Sequence, residues 1–137
     1  MLCVILNISN YYIKAVKKMK SILLIDDSTI QHRILKMLLQ EKYEVLMAIS
    51  GMEGIKLAKK RHPDLILLDY DMPLLSGRET FKMLQEDPET SDIPVVFLTG
   101  VDEREYVKEV LKLGPQGYLL KPVEQNRLLE TIQNIIW

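Results

Sequence analysis

From Ser21 onward the chain alternates between short apolar runs and segments with helical periodicity, and this alternation restricts the fold more than any other property of the sequence. The apolar runs are SILLI (Ser21 to Ile25), EVLMA (Glu44 to Ala48), LILL (Leu65 to Leu68), PVVFL (Pro94 to Leu98) and GYLL (Gly117 to Leu120). They lack the strict in-and-out alternation of a strand with one wet face, so they suit a parallel sheet covered on both faces. Between them, Ile30, Ile34, Leu35, Leu38 and Leu39 share one helical face. Ser50 and Glu53 have capping-box spacing ahead of Ile55, Leu57 and Ala58, and His62-Pro63 ends that helix. Thr80 to Glu86, Glu103 to Leu113 and Glu124 to Ile136 supply three more helices, with Gly114 placed as a C-cap. Five strand–helix units in series predict an α/β fold in three layers, doubly wound by right-handed crossovers.

At 137 residues the chain is the size of one domain. Residues 1 to 18 precede the repeat and read as an extension dispensable for the fold, leaving 19 to 137 as the domain. A second reading makes the extension an amphipathic helix whose Leu2, Ile5, Ile8 or Tyr12 touch a membrane or a partner. Its lysines follow the apolar stretch instead of preceding it, which argues against a secretory signal. No run is long enough to span a bilayer. A formal net charge of -1 disfavours direct nucleic-acid binding, which needs a concentrated positive field. Cys3 is the only cysteine, so no intrachain disulfide can form, and the expected compartment is reducing and cytoplasmic. Cys3, His32 and His62 never reach zinc-ligand spacing, the two histidines read as surface or capping residues, and Met37, Met47 and Met83 read as core filling.

Ligands of open parallel sheets bind beyond the carboxyl ends of the strands, so those ends carry the chemistry. Strand one is followed by Asp26-Asp27, strand three by Asp69, strand four by Thr99-Gly100 and strand five by Lys121-Pro122. Capping or solvation accounts for any one of these residues but poorly for all together. Converging carboxylates repel one another and take up protons unless a cation offsets them. Oxygen donors without thiol or imidazole favour Mg²⁺, which also holds phosphate oxygens. A carboxylate beside it can attack phosphorus and become an acyl phosphate, with Lys121 and Thr99 receiving phosphoryl oxygens.

With these residues in place, Met19 to Trp137 resembles the receiver domains of response regulators. LLIDDS matches the acidic-pair motif, and LLDYDMPLLSG matches the phosphoacceptor motif with Met72-Pro73 and Gly77 shaping its loop. The resemblance implies a flavodoxin-like fold with strand order 2-1-3-4-5, Asp69 as phosphoacceptor, and Mg²⁺ held by Asp26, Asp27, Asp69 and the backbone carbonyl of Asp71. It also implies Thr99 as switch hydroxyl, Tyr118 as switch aromatic, and a cis peptide between Lys121 and Pro122 that aims the lysine into the site. The implied partners are a histidine kinase or histidine phosphotransfer protein and a downstream protein effector, with a phosphorylation-dependent homodimer by analogy. Gly100 stands where a small residue such as alanine is usual in the family, and Gly114-Pro115-Gln116-Gly117 departs from its usual acidic loop.

Such a chain is a switch and not an enzyme acting on an external substrate. Asp69-Tyr70-Asp71 also resembles the DxD nucleophile motif of haloacid-dehalogenase-type phosphatases, but their metal-binding acidic pair comes late in the chain and here it comes early. A receiver-like scaffold that binds without phosphorylation is the third reading, and retention of every reacting group speaks against it.

Overall fold

In the computed structural model, which describes residues 19–100 and 104–136, the elements follow the expected order. They are β1 (Ser21–Ile25), α1 (Thr29–Leu39), β2 (Glu44–Ala48), α2 (Gly51–Arg61), β3 (Leu65–Asp69), α3 (Gly77–Glu86), β4 (Val95–Thr99), α4 (Arg104–Lys112), β5 (Gly117–Leu120) and α5 (Gln125–Ile136). The strands form one sheet in the order β2-β1-β3-β4-β5, and every neighbouring pair is parallel. Both readings of residues 1 to 18, as a dispensable extension and as an amphipathic helix, fall outside the described residues, as does Glu103 at the expected start of α4.

The apolar runs lack alternation because both faces of the sheet are covered. On β1, Leu23 and Ile25 point to one core, shared with Ile55 of α2, Phe81 of α3 and Val110 of α4. Ile22 and Leu24 point to the other, shared with Leu35 of α1 and Leu128 of α5. All five residues of β3 and of β4 are buried, whereas the edge strands β2 and β5 are partly open. The chain winds outward from β1 to β2 in one direction and through β3 to β5 in the other, so the strand order reverses between β1 and β3. That reversal leaves a crevice at the carboxyl ends of these two strands.

Local chemistry sets the helix ends. Ser28 Oγ accepts the Gln31 amide, and Ser50 Oγ accepts the Glu53 amide. The reciprocal capping box forms instead at Ser76 and Glu79, which starts α3 three residues before the expected Thr80 and makes Gly77 its first residue. His62 closes α2 in the left-handed conformation with its ring beside Asp92, as a capping residue should. Gly114, at φ +82, takes up the turn after α4, where only a residue without Cβ is unstrained.

Three further sequence expectations need correction. The buried face of α1 runs through His32, Leu35 and Leu39, while Ile30 is 69% exposed and Ile34 is exposed as well. Helical spacing alone allowed two adjacent stripes, and the sheet takes the one at Leu35 and Leu39. His32 is thus buried and not a surface residue, and its Nε2 has no hydrogen-bond partner among the described residues. Met37 and Met83 are exposed and fill no core, because each lies on the outer side of its helix.

Candidate functional site

The crevice at the β1/β3 reversal holds the acidic residues. Asp26 directly follows β1 and is fully buried, and its Oδ1 accepts the Ser28 amide at 2.9 Å while its own amide bonds to Ala48. Asp69 is the last residue of β3 and is 4% exposed, with Oδ1 3.3 Å from the Asp71 amide. Asp27 stands at the rim, open to solvent. One carboxylate oxygen from each of Asp26, Asp27 and Asp69 lies within 4.8 Å of the others. Three convergent hard oxygen donors, two of them buried, fit a divalent cation such as Mg²⁺ and no thiol-loving metal.

Lys121 enters from the turn after β5. Its Nζ is 3.0 Å from Asp26 Oδ2 and 3.1 Å from Asp69 Oδ1, so one ammonium spans both buried carboxylates. The Lys121–Pro122 peptide is cis, as the resemblance implied. Burial pushes the Asp69 carboxyl up to about 7, reinforced by the negative charge of Asp26 and opposed by Lys121. Burial works against the Lys121 charge too, but the hydrogen bond to Asp26 and the two carboxylate charges outweigh it, and the ammonium is held above its usual range.

Thr99 ends β4, fully buried, one strand over from Asp69. The β3–α3 loop is shaped by Gly77, where an added Cβ would overlap the Asp69 carbonyl and the Tyr70 backbone. Leu74 in the same loop has φ 67 and is fully exposed. Asp71 sits outside on this loop. Its carboxylate accepts a hydrogen bond from the hydroxyl of Tyr106 of α4. Tyr118 lies on β5 opposite Phe97, partly buried against the core beneath α2, α3 and α4. The structure therefore brings Asp26, Asp27, Asp69, Thr99 and Lys121 to one sheet edge, with Asp71 at the rim and Tyr118 on β5 two residues before Leu120, the register partner of Thr99. Tyr106 and Tyr70 were missed in the sequence, because the Asp71–Tyr106 pairing spans 35 residues and leaves no local pattern.

A parallel sheet of this order, with an acidic cluster and a lysine at its reversal point, is the arrangement of a receiver-type signalling switch. The chain matches the response regulator receiver domain family over residues 22–133 and belongs to it, a family of switches in two-component signalling. It is 37% identical over 119 residues to protein PilH of Pseudomonas aeruginosa, covering 86% of this chain and 98% of PilH. It is 32% identical over 118 residues to the polar-differentiation response regulator DivK of Brucella ovis, covering 85% and 96%. Among solved structures, the chemotaxis response regulator CheY4 of Vibrio cholerae is similar, with a TM-score of 0.79 and 31% identity over 86% of this chain and 99% of that one. Among the described residues no helix is long and apolar enough to cross a membrane.

Proposed function

We propose that this receiver domain is a Mg²⁺-dependent phosphoryl acceptor, modified on Asp69 by a histidine kinase or a histidine phosphotransfer protein. The observation that carries the reading is the buried pair Asp26 and Asp69 joined by Lys121 and open to Asp27 at the rim. Burying two carboxylates together is costly, and a structural role would be met more cheaply by apolar residues.

In the proposed step an Asp69 carboxylate oxygen attacks the phosphorus of a phosphohistidine. The P–N bond breaks as the P–O bond of the acyl phosphate forms, and the leaving imidazole keeps the electron pair and takes a proton. Mg²⁺ held by Asp26, Asp27, Asp69 and the Asp71 carbonyl would supply charge neutralisation at the phosphoryl oxygens. Lys121, already 3.1 Å from Asp69, pairs with a second phosphoryl oxygen, and Thr99 donates to a third. The new charge at the end of β3 then draws Thr99 toward it, and Tyr118 turns inward, reshaping the face of α4, β5 and α5 for a protein effector or a second copy of the chain.

Acetyl phosphate with Mg²⁺ should add one phosphoryl group, seen by intact mass and absent in Asp69→Asn or in the presence of a chelator. No adduct on the wild-type chain would leave a binding scaffold, and rapid turnover of added phosphate monoesters would favour a phosphatase.

A further inference from the structure

The segment Asp69-Tyr70-Asp71 leaves the end of β3 and loses the support of the sheet within two residues. The Tyr70 amide still bonds to the Leu98 carbonyl at 2.9 Å, and the Tyr70 carbonyl accepts the Gly77 amide at 3.0 Å. Asp71 lies one residue further out, where its amide is 3.3 Å from Asp69 Oδ1, a long contact for a hydrogen bond. Its exposed side chain is met from another element: the hydroxyl of Tyr106, in the first turn of α4, is 3.1 Å from Oδ1 and 3.3 Å from Oδ2. An ionised carboxylate only accepts, so the phenol donates. The ring is held in turn. Tyr106 meets Tyr70 edge-on at 5.1 Å and 74°, and Tyr70 meets the fully buried Phe97 at 5.4 Å and 73°. Tyr106 thus touches the segment twice, with its ring on Tyr70 and its hydroxyl on Asp71.

A loop carbonyl that is already held in place ligates a cation more tightly, because less ordering is left to be done on binding. We propose that Tyr106 is a positioning residue for the metal site: by fixing the Asp71 side chain against α4, it keeps the Asp71 main chain in the arrangement that binds Mg²⁺. The role rests on the proposed cation site at Asp26, Asp27, Asp69 and the Asp71 carbonyl. It gives a residue of α4 a part in that site without making it a ligand.

Tyr106→Phe keeps the ring and removes the hydroxyl. Titration of the full ¹⁵N-labelled chain with MgCl₂, at constant pH and ionic strength and with no phosphodonor, reads the dissociation constant from amide shifts. A saturable shift that weakens in Asp69→Asn marks the site. Tyr106→Phe should bind Mg²⁺ about three- to tenfold more weakly, the range expected for one or two hydrogen bonds to a carboxylate near solvent. Asp71→Ala supplies the background that separates positioning from general damage: adding Tyr106→Phe to it should weaken binding no further. An unchanged or lower dissociation constant in Tyr106→Phe overturns the proposal while the metal site stands. So does an equal loss with and without the Asp71 carboxylate, which would mean that the phenol acts elsewhere. If the wild type gives no saturable shift, the metal reading and the positioning role fall together. Should Tyr106→Phe not fold, Asp71→Asn decides. Its side-chain oxygen still accepts from the phenol, so it should bind Mg²⁺ more tightly than Asp71→Ala, and equal constants overturn the proposal.

Discussion

Replacing Asp69 by asparagine should stabilise the metal-free protein at alkaline pH. Asp69 is 4% exposed and its carboxyl is pushed up to about 7 in the folded state. An unfolded aspartate ionises near 3.9, so the two states differ by about three units, and at 1.36 kcal/mol each the ionised folded form is disfavoured by about 4 kcal/mol. Asp26 and Lys121 share the pocket and readjust when Asp69 changes, so about half of this, ~2 kcal/mol, should be recovered by the neutral amide. The sign is set by a folded pKa above the unfolded one: the stability is present below about pH 4 and is lost as pH rises toward about 7. Thermal unfolding followed by circular dichroism in a chelator should therefore show Asp69→Asn melting about 7 °C above wild type near pH 8, with the gap closing toward pH 4. Mg²⁺ at tenfold its dissociation constant should raise the wild type by about 1.4 kcal/mol and the variant by less. Equal melting temperatures near pH 8, or a variant less stable there, would refute the view that the Asp69 charge is held against its own solvation.

Lys121→Ala should destabilise the metal-free protein by about 2 kcal/mol near pH 8, below the cost of breaking a fully buried pair because the lysine side chain is 24% exposed, and Mg²⁺ should restore part of it; denaturant titration with and without the cation reads both. Gly77→Ala places a methyl against the Asp69 carbonyl and should cost about 2 kcal/mol or more while slowing phosphorylation, which a melt and a mass time course separate. Ser76→Ala removes one half of the capping box of α3 and should cost about 1 kcal/mol, measured by the same titration, without changing the extent of phosphorylation. A chain beginning at Met19 should melt at the temperature of the full chain, and a lower value would assign residues 1 to 18 a part in stability.

The architecture was legible because it rests on properties each segment carries alone. Runs such as Leu65 to Leu68 cannot be satisfied except between two layers of helices, and the acidic and basic residues sit where those runs stop. What could not be read was which of two possible faces a helix buries. Ile30 and Leu35 are equally apolar, and only the position of the sheet decides that Leu35 goes inside. The beginning of α3 was obscured for a related reason: Gly77 is a poor helix former, and its presence makes sense only once the Asp69 carbonyl is seen lying against it. Among the site residues, Asp26, Asp69, Thr99 and Lys121 announce themselves at strand ends, whereas Tyr106 gains its position from the packing of α4 beside Tyr70.

Lys121 also bears on how such a protein can be made and kept ready. Because its ammonium reaches both Asp26 and Asp69, the chain carries its own counter-ion for the two carboxylates it hides. Folding does not have to wait for a divalent cation, unlike that of small domains whose ligands are strangers until the metal gathers them. The crevice can be assembled during synthesis, remain intact through fluctuations in cation supply, and, on the proposed acceptor reading, hand over part of its charge balance when a donor and its cation arrive together.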